Sequence, residues 1–273
     1  MLLKNIIRII LRRPFFKGQD RLFNYLFKKN KLNQGWRTVK PIQGNFKINC
    51  DTATWIGAKI VYTGNYEPAL KNVFKSQIKK GYRVLDVGAN IGFHTLFFAE
   101  LVGEQGSIIA FEPVPYNFKT LNYNISLNNF HHIKTKNIAL GNKNEQISIV
   151  VDEKSTNPGT FNLFDQSGDT LITCCIGDEI IGDEKVDFIK IDVEGYESFV
   201  IQGLLGTIKK NRPKIIFEYD IHYHKKTGLA KDYIFSLLSD LNYRFMHIYQ
   251  EGPMALDNFN ELKSGNILAL PND

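Results

Sequence analysis

From about residue 80 the apolar positions of the chain follow two alternating patterns. Short apolar runs typical of buried strands lie at 83–89, 107–113, 133–140, 186–193 and 213–220. Between them, apolar residues at helical spacing predict helices over 93–103, 115–129, 196–210 and 229–242, and further strands follow at 243–250 and 266–271. This alternation predicts an α/β fold with a doubly wound, mostly parallel sheet and helices on both faces. Ligands of such sheets bind at the carboxyl ends of the strands.

Two parts of the chain depart from the alternation. Residues 46–51 and 58–64 read as short strands, and residues 67–81 have the apolar spacing of a helix. Between about Gly141 and Gly182 the sequence is rich in polar and turn residues. Because long loops in compact domains tend to be functional or disordered, we interpret this segment as a candidate substrate lid. We expect substrate choice to depend on its loop from about Val151 to Thr170 and on the first fifty residues.

The N-terminal stretch predicts a basic amphipathic helix that ends before Pro14. Its bases recur every four residues on one face, and isoleucines and leucines fill the other. Arg8 interrupts the apolar stretch and no small-residue cleavage site follows, so a signal peptide is not indicated, and the stretch is too short to span a membrane. The basic face holds Lys4, Arg8 and Arg12, and the apolar face holds Leu3, Ile6, Ile7 and Ile10.

Charge divides the chain in the same place. The 273 residues carry 34 Lys and Arg against 28 Asp and Glu, or +6, but residues 1–47 hold 12 bases and only one acid, which is +11 and leaves −5 for the remainder. We therefore expect a basic N-terminal extension over 1–47 and a separate domain over 48–273. Three interpretations of the extension stay open: a helix that docks on the chain itself or on a second copy, peripheral membrane contact through residues 1–17, and, least favoured, nucleic-acid binding.

Composition excludes several classes of protein. With 43% hydrophobic and 23% charged residues the chain is neither disordered nor collagen-like. Three cysteines, two of them adjacent, do not form a disulfide framework, so we expect a cytoplasmic protein, with contact at the inner membrane surface if the extension binds there. No Cys/His cluster has zinc spacing, and no metal is expected. The oligomeric state is left open.

The first chemical motif is VLDVGANIGFHT, at residues 84–95, across a predicted strand-to-helix turn. Glycines there let the backbone approach a ligand, next to the free N–H groups of a helix start. The dinucleotide fingerprint GxGxxG is not met, because Asn90 stands where its second glycine belongs. An acid in this turn suits a cofactor with a positive amino-acid end. The candidate residues are Asp86, Gly88, Asn90 and Gly92.

Two further motifs end the following strands. Glu112, in FEP, stands 26 residues after Asp86, where a carboxylate can accept both hydroxyls of a ribose. Asn137 and Ala139, in NIALG, end the next strand at the expected adenine edge. Each motif alone is weak, but their order on successive strand ends is specific.

A fourth motif, KIDVEGYE, places acids beside the expected cofactor. If the strand continues, Asp192 and Glu194 point to one side together with Lys190, which can pair with them. Glu197 reads instead as the acid of a helix start. At the end of the next strand lies Glu218. Nearby His222 and His224 read as solvated or hydrogen-bonded residues rather than metal ligands, and His94, Phe93, Phe97 and Phe98 read as packing residues of the first helix.

Taken together, VLDVGANIGFHT, FEP, NIALG and KIDVEGYE closely resemble the FkbM family of S-adenosylmethionine-dependent methyltransferases, over about residues 60–250. The resemblance implies a class I methyltransferase (Rossmann-like) fold with a seven-stranded sheet and O-methylation of a sugar, glycan or other small acceptor. It further implies that Asp86, Gly88, Asn90 and Gly92 contact the methionine part of the cofactor. Glu112 would contact the ribose, Asn137 and Ala139 would border the adenine, and Lys190, Asp192, Glu194 and Glu218 would face the acceptor.

Three other functions compete with methyl transfer. A nicotinamide-dependent oxidoreductase on a similar sheet is disfavoured by Asn90 in the glycine turn. A nucleic-acid methyltransferase would explain the basic extension, but acids that face the acceptor repel phosphate, so nucleic acid is an unlikely partner. A non-enzymatic module gives no reason for those acids to gather beside the cofactor.

Overall fold

The computed structural model describes residues 2–13, 16–42, 44–151 and 168–272. Its N-terminal part is built from two helices, a hairpin and two further helices. The run at 58–64 is helical and not a strand, because Thr54 caps the helix start by accepting from the Gly57 N–H at 3.0 Å and Gly64 ends it at φ +72°. The elements are α1 (Leu2–Leu11), α2 (Gln19–Lys28), β1 (Trp36–Val39), β2 (Ile48–Asp51), α3 (Trp55–Thr63) and α4 (Pro68–Gln77).

The central part confirms the predicted alternation. The order is β3 (Arg83–Val87), α5 (Phe93–Val102), β4 (Ser107–Phe111), α6 (Pro115–Ser126) and β5 (Ile133–Lys136). The segment at about 141–182, which was expected to be loop, contributes strands in its described part. These are β7 (Glu145–Ile149) and β8 (Thr170–Ile176). They form a small sheet in the order β6-β8-β7 with β6 (Ala139–Gly141), which covers the end of the strand predicted at 133–140, and α7 (Gly177–Ile181) follows. Residues 152–167 of the candidate lid lie outside the described residues.

The C-terminal part completes the large sheet. It contains β9 (Phe188–Ile191), α8 (Glu197–Gly203), α9 (Leu205–Asn211), β10 (Lys214–Asp220), α10 (Ile221–His224), α11 (Tyr233–Ser239), β11 (Tyr243–Tyr249), β12 (Gly252–Ala255) and β13 (Ser264–Pro271). The predicted helix over 196–210 is thus divided into α8 and α9.

The large sheet has the strand order β12-β11-β13-β10-β9-β3-β4-β5. Pairs from β5 to β10 are parallel, and β13 inserts antiparallel between β10 and β11. Seven of these strands were expected; the eighth, β12, turns back on β11 as an antiparallel hairpin at the sheet edge. This is the doubly wound α/β fold that the sequence predicted.

Helices cover both faces of the sheet. Successive side chains of a strand point to opposite sides, so the apolar residues of each buried strand need cover on both faces. In β3, Val84 packs towards α4 and α5 whereas Leu85 packs towards α8 and α11. The first face also buries Leu11 of α1 and Phe23 of α2, so the N-terminal helices share a core with the sheet, and the β1–β2 hairpin spans residue 47, where the predicted extension ends. The boundary between extension and domain stays a prediction.

Two other properties bear on the environment of the protein. Along the described residues, no helix is both long and apolar enough to span a bilayer. Cys50, Cys174 and Cys175 are free thiols, the first two buried.

Candidate functional site

A pocket opens at the carboxyl ends of β3, β4 and β9. This is the edge of the sheet where the alternation of strands and helices predicts ligand binding. Seven of the eleven predicted site residues line it: Gly88, Asn90, Glu112, Ala139, Lys190, Asp192 and Glu194. The other four, Asp86, Gly92, Asn137 and Glu218, lie beside it.

The glycine turn after β3 forms the floor of the pocket. Gly88 has φ +80°, and the N–H groups of Gly88 and Ala89 both donate to the Phe111 carbonyl, at 3.0 and 2.9 Å. A Cβ atom at Gly88 would lie 1.9 Å from the Asp192 carbonyl oxygen, so only glycine fits between the two strand ends. Gly92, at φ +90°, precedes α5 and abuts Leu121.

Glu112 lies at the end of β4 and faces this turn. One carboxylate oxygen accepts from the Asn90 N–H at 2.8 Å, and the other accepts from the Val114 N–H at 2.9 Å. Burial raises the pKa of Glu112 to about 7, against the lowering effect of these hydrogen bonds. Each oxygen keeps a second lone pair, so the fixed carboxylate can still accept hydroxyl groups of a ligand.

The side of the pocket where the sequence predicts an adenine edge is apolar. Ile138, Ala139 and Leu140 line it, after β5 and into β6. Asn137 does not line it: its amide donates to the carbonyls of Glu112 and Pro113, at 2.8 and 3.0 Å. Asn137 therefore holds the end of β4 in place.

The strand register explains why Lys190 lies at the centre of the polar group. Asp86 of β3 and Lys190 of β9 are paired across the parallel ladder and point to the same face. The Lys190 Nζ lies 3.4 Å from the Asp86 Oδ1 and 3.3 Å from the Asp192 Oδ2, and it donates to the Gly88 carbonyl at 2.9 Å. Although burial opposes the charge, these carboxylates raise the pKa of Lys190. Lys190 is therefore a buried cation that connects the glycine turn to Asp192.

Asp86 is fully buried beneath the pocket. Its Oδ2 accepts from the Thr95 hydroxyl at 2.6 Å, and its Oδ1 has only the Lys190 ion pair. Asp86 thus anchors the cation and the start of α5 from below.

Three carboxyl groups, those of Asp192, Glu194 and Glu218, lie at two neighbouring strand ends, where the sequence predicts the acceptor. β9 ends at Ile191, so Asp192 and Glu194 lie in a turn and not on a continuing strand, and Glu194 has φ +53°. Burial, followed by the charge of Asp192, raises the pKa of Glu194 to about 7. The same two causes raise the pKa of Glu218, near the end of β10, to about 9. The site therefore holds carboxyl groups with different affinities for a proton.

Two residues near the acids have structural roles, as expected. Glu197 begins α8, and its carboxylate accepts from the N–H groups of Val193 and Gly195, which fixes the turn that carries Glu194. His224 is buried and its Nε2 lies 2.6 Å from the Ala230 carbonyl. In the part of the chain that the structure describes, no group of three or more His, Cys, Asp or Glu residues could hold a metal ion.

Part of the pocket lining was not predicted from the sequence. Trp55 and Ile56 of α3 and Tyr66, after α3, also line the pocket. His94 of α5 lies beside them, with its Nε2 2.8 Å from the Glu67 carboxylate. Burial, followed by the charge of Glu67, raises the pKa of Tyr66 well above its usual value. His94 lies in the first motif and was expected only to pack, whereas no motif marks Trp55, Ile56 or Tyr66. The cap signals Thr54 and Gly64 could have identified α3 as a helix.

The pocket fits the S-adenosyl cofactor that the sequence resemblance implies. It combines a glycine cradle that a Cβ would fill, a fixed buried carboxylate at Glu112 and an apolar wall at Ala139. These are the features that a methionine chain, a ribose and an adenine ring require in turn.

Comparison with known proteins gives three kinds of match. A sequence profile of the methyltransferase FkbM domain matches residues 86–245, more than half of the chain. Methyltransferase 1 of Beauveria bassiana is 24% identical over an alignment of 144 residues, and the match covers 44% of this chain and 57% of that protein.

Among solved structures, the methyltransferase FkbM of Methylobacillus flagellatus KT aligns with a TM-score of 0.45 and 16% identity, over 77% of this chain and 52% of that one. A SAM-dependent O-methyltransferase of Thermotoga maritima aligns with a TM-score of 0.44 and 13% identity, over 87% of this chain and 86% of that one. The chain thus spans little more than half the length of the fungal protein and of the FkbM structure.

Proposed function

The chain belongs to the FkbM methyltransferase family, and we propose that it transfers a methyl group from S-adenosylmethionine to a hydroxyl group of a sugar, glycan or other small acceptor. The observation that carries the proposal is the meeting of two groups in one pocket: the glycine turn with Glu112, and the lysine–carboxylate group of Lys190, Asp192 and Glu194. The first suits an adenosyl cofactor, and the second suits a neutral acceptor that must lose a proton.

The cofactor-binding part of the proposal assigns one function to each strand end. Gly88 and Asn90 receive the methionine part, Glu112 accepts the ribose hydroxyls, and Ala139 borders the adenine. Asp86, Gly92 and Asn137 support these residues from behind. When bound, S-adenosylmethionine supplies an electrophilic methyl group on a positively charged sulfur.

The chain contributes alignment and exclusion of water. Trp55, Ile56 and Tyr66 line the pocket, and an acceptor packed against them would lose freedom of movement. Two reactants held in line react faster by orders of magnitude, because they have already lost their translational and rotational freedom when they bind. The apolar wall also strengthens the electrostatic interactions of the acids.

Removal of the hydroxyl proton is assigned to the acid group. Glu194, with its pKa raised to about 7, has the proton affinity that suits a general base near neutral pH. Asp192 is the alternative base, and Lys190 orients it at 3.3 Å. Glu218, with its pKa raised to about 9, stays protonated at neutral pH and can donate a hydrogen bond to the acceptor.

The test is methyl transfer from labelled S-adenosylmethionine to fractionated lysate, with the methylated fraction and the methyl linkage identified by mass spectrometry. The proposal predicts a methyl ether in the glycan or small-molecule fraction. Glu194→Gln or Asp192→Asn should lower turnover by on the order of a hundredfold while S-adenosylhomocysteine still binds. Glu184→Gln, at an exposed position away from the pocket, is the matched control. Full turnover in both acid variants, or label only in nucleic acid, would refute the assignment.

A further inference from the structure

The helix α1 attaches to the protein through only part of its apolar face. Leu11 is fully buried and Ile7 is partly buried against the core beside α3. Ile6, Ile9 and Ile10 remain exposed, by 46%, 62% and 39% of their surface. Docking on the chain itself therefore accounts for the apolar side chains of Ile7 and Leu11, but it does not account for the three exposed isoleucines.

The helix α2 has the same arrangement. Phe23 is buried and packs edge-on against Trp55 at 5.9 Å between ring centroids, whereas Leu22 and Tyr25 are exposed. The α2 helix is joined to α1 by the buried Gln19 side chain, which donates to the Leu11 carbonyl at 2.8 Å. Both helices thus have a fixed inner side and an outer side that mixes apolar residues with bases.

The exposed charge of residues 1–47 is almost entirely positive. Asp20, the single acid of residues 1–47, is ion-paired with Lys59 of α3. Lys4 and Arg12 are partly buried and donate to the carbonyls of Asn33 and Lys40. The remaining ten bases of this segment are exposed: Arg8, Arg13, Lys17, Arg21, Lys28, Lys29, Lys31, Arg37, Lys40 and Lys47.

We propose that α1 and the exposed bases of residues 4–47 form a docking surface for an anionic lipid bilayer, independently of the reaction in the pocket. Ile6, Ile9 and Ile10 insert among the headgroups, and Arg8 and Arg13 pair with lipid phosphates. Attraction to polyanions in general needs only the bases, so exposed isoleucines between them favour lipid over nucleic acid. A second copy is disfavoured because two surfaces of the same strong positive charge repel each other.

The experiment is co-sedimentation of the full chain with vesicles of phosphatidylcholine alone or of phosphatidylcholine and phosphatidylglycerol at 3:1. We expect binding to the anionic vesicles that weakens with added salt, and much weaker binding to the neutral ones. Ile6→Ser/Ile9→Ser/Ile10→Ser should lower the partition coefficient at least about tenfold. Arg8→Gln and Arg13→Gln should each lower it about fivefold, which corresponds to the contribution of one base near an anionic surface.

Substitutions are used because deletion of α1 would remove the buried Leu11 from the core. Tyr249→Ser/Met254→Ser, at exposed apolar positions of β11 and β12, and Lys79→Gln/Lys80→Gln are matched controls that should bind as the unchanged protein does. Melting temperature confirms folding of every variant, and S-adenosylhomocysteine binding is measured in parallel, so that failure of the docking surface and failure of the proposed cofactor site are told apart.

Three results would overturn the proposal. The first is equal vesicle binding by the triple serine variant. The second is tight, salt-sensitive binding to single-stranded RNA that the serine substitutions do not change, with no binding to vesicles. The third is loss of a dimer in sedimentation velocity when the isoleucines are replaced, which would assign the surface to a second copy of the chain.

Discussion

Replacement of Lys190 by Met removes the cation on which the buried part of the site depends. The Lys190 Nζ lies 3.4 Å from the Asp86 Oδ1 and 3.3 Å from the Asp192 Oδ2, and Asp86 has no exposed surface. Removal of one partner of a buried ion pair costs about 3–5 kcal/mol, because the other charge stays buried without compensation. At about 2–4 °C per kcal/mol, the melting temperature should fall by roughly 6–20 °C.

The assay is urea unfolding at pH 7 followed by circular dichroism, with two comparisons. Lys185→Met breaks an ion pair of 2.7 Å to Asp187, but Lys185 is 68% exposed, so its loss should cost about 0–1 kcal/mol. Asp86→Asn in the Lys190→Met background removes the uncompensated charge and should recover at least about 1 kcal/mol of the loss. If Lys190→Met costs no more than Lys185→Met, or if Asp86→Asn gives no recovery, the electrostatic account of the site is wrong.

Three further predictions concern the same pocket. Gly88→Ala should destabilise the protein by more than about 2 kcal/mol and abolish S-adenosylhomocysteine binding in calorimetry, because the new Cβ would lie 1.9 Å from a carbonyl oxygen. Gly81→Ala is the control: Gly81 has the same φ of about +80° but nothing within 4 Å, so this change should cost only about 1 kcal/mol. Affinity for S-adenosylhomocysteine should rise with pH by about tenfold from pH 6 to 8, since the pKa of Glu112 is raised to about 7 and only its ionised form accepts both ribose hydroxyls; a flat profile would contradict this role. Glu218→Gln should raise the free energy of unfolding at pH 9.5 by about 1–3 kcal/mol. Burial raises the pKa of Glu218 to about 9 in the folded protein, so the carboxyl group favours the folded state when protonated, and this contribution is lost as the pH rises from 4.5 through 9. A gain at pH 4 as large as at pH 9.5 would exclude this cause.

The fold could be predicted from the sequence where periodicity and spacing are local. β3, β4, β9 and β10 are short apolar runs bounded by turn residues, and α5 and α6 have apolar residues at helical spacing. The run at 58–64 was predicted wrongly because a short buried helix and a buried strand look alike in hydropathy. Its capping residues, Thr54 and Gly64, and its packing between α1 and the β1–β2 hairpin make it helical.

The site could be predicted as far as it consists of residues at strand ends. Gly88, Glu112 and Lys190 follow apolar runs and converge because parallel strands end at the same edge. Trp55 and Tyr66 could not be placed there, because they reach the pocket through tertiary packing of α3 and of the segment after it. The ion pair of Lys190 with Asp86 likewise depends on the register between β3 and β9, which the sequence does not specify.

The acids and bases of the two oppositely charged parts of the chain differ in their surroundings. In the pocket, Asp192 is ion-paired with Lys190 and Glu112 accepts from backbone N–H groups, whereas the bases of residues 1–47 are mostly exposed. Substrate and surface recognition would therefore be served by charges of opposite sign on one chain. A polyanionic acceptor would meet carboxyl groups at the pocket.

The most direct test of the account is calorimetric titration of the full chain with S-adenosylhomocysteine and, separately, with NAD. The account predicts one S-adenosylhomocysteine per chain, with binding lost in Gly88→Ala and kept in Gly81→Ala, and no binding of NAD. Binding of NAD without S-adenosylhomocysteine, or S-adenosylhomocysteine binding that Gly88→Ala leaves unchanged, would contradict it.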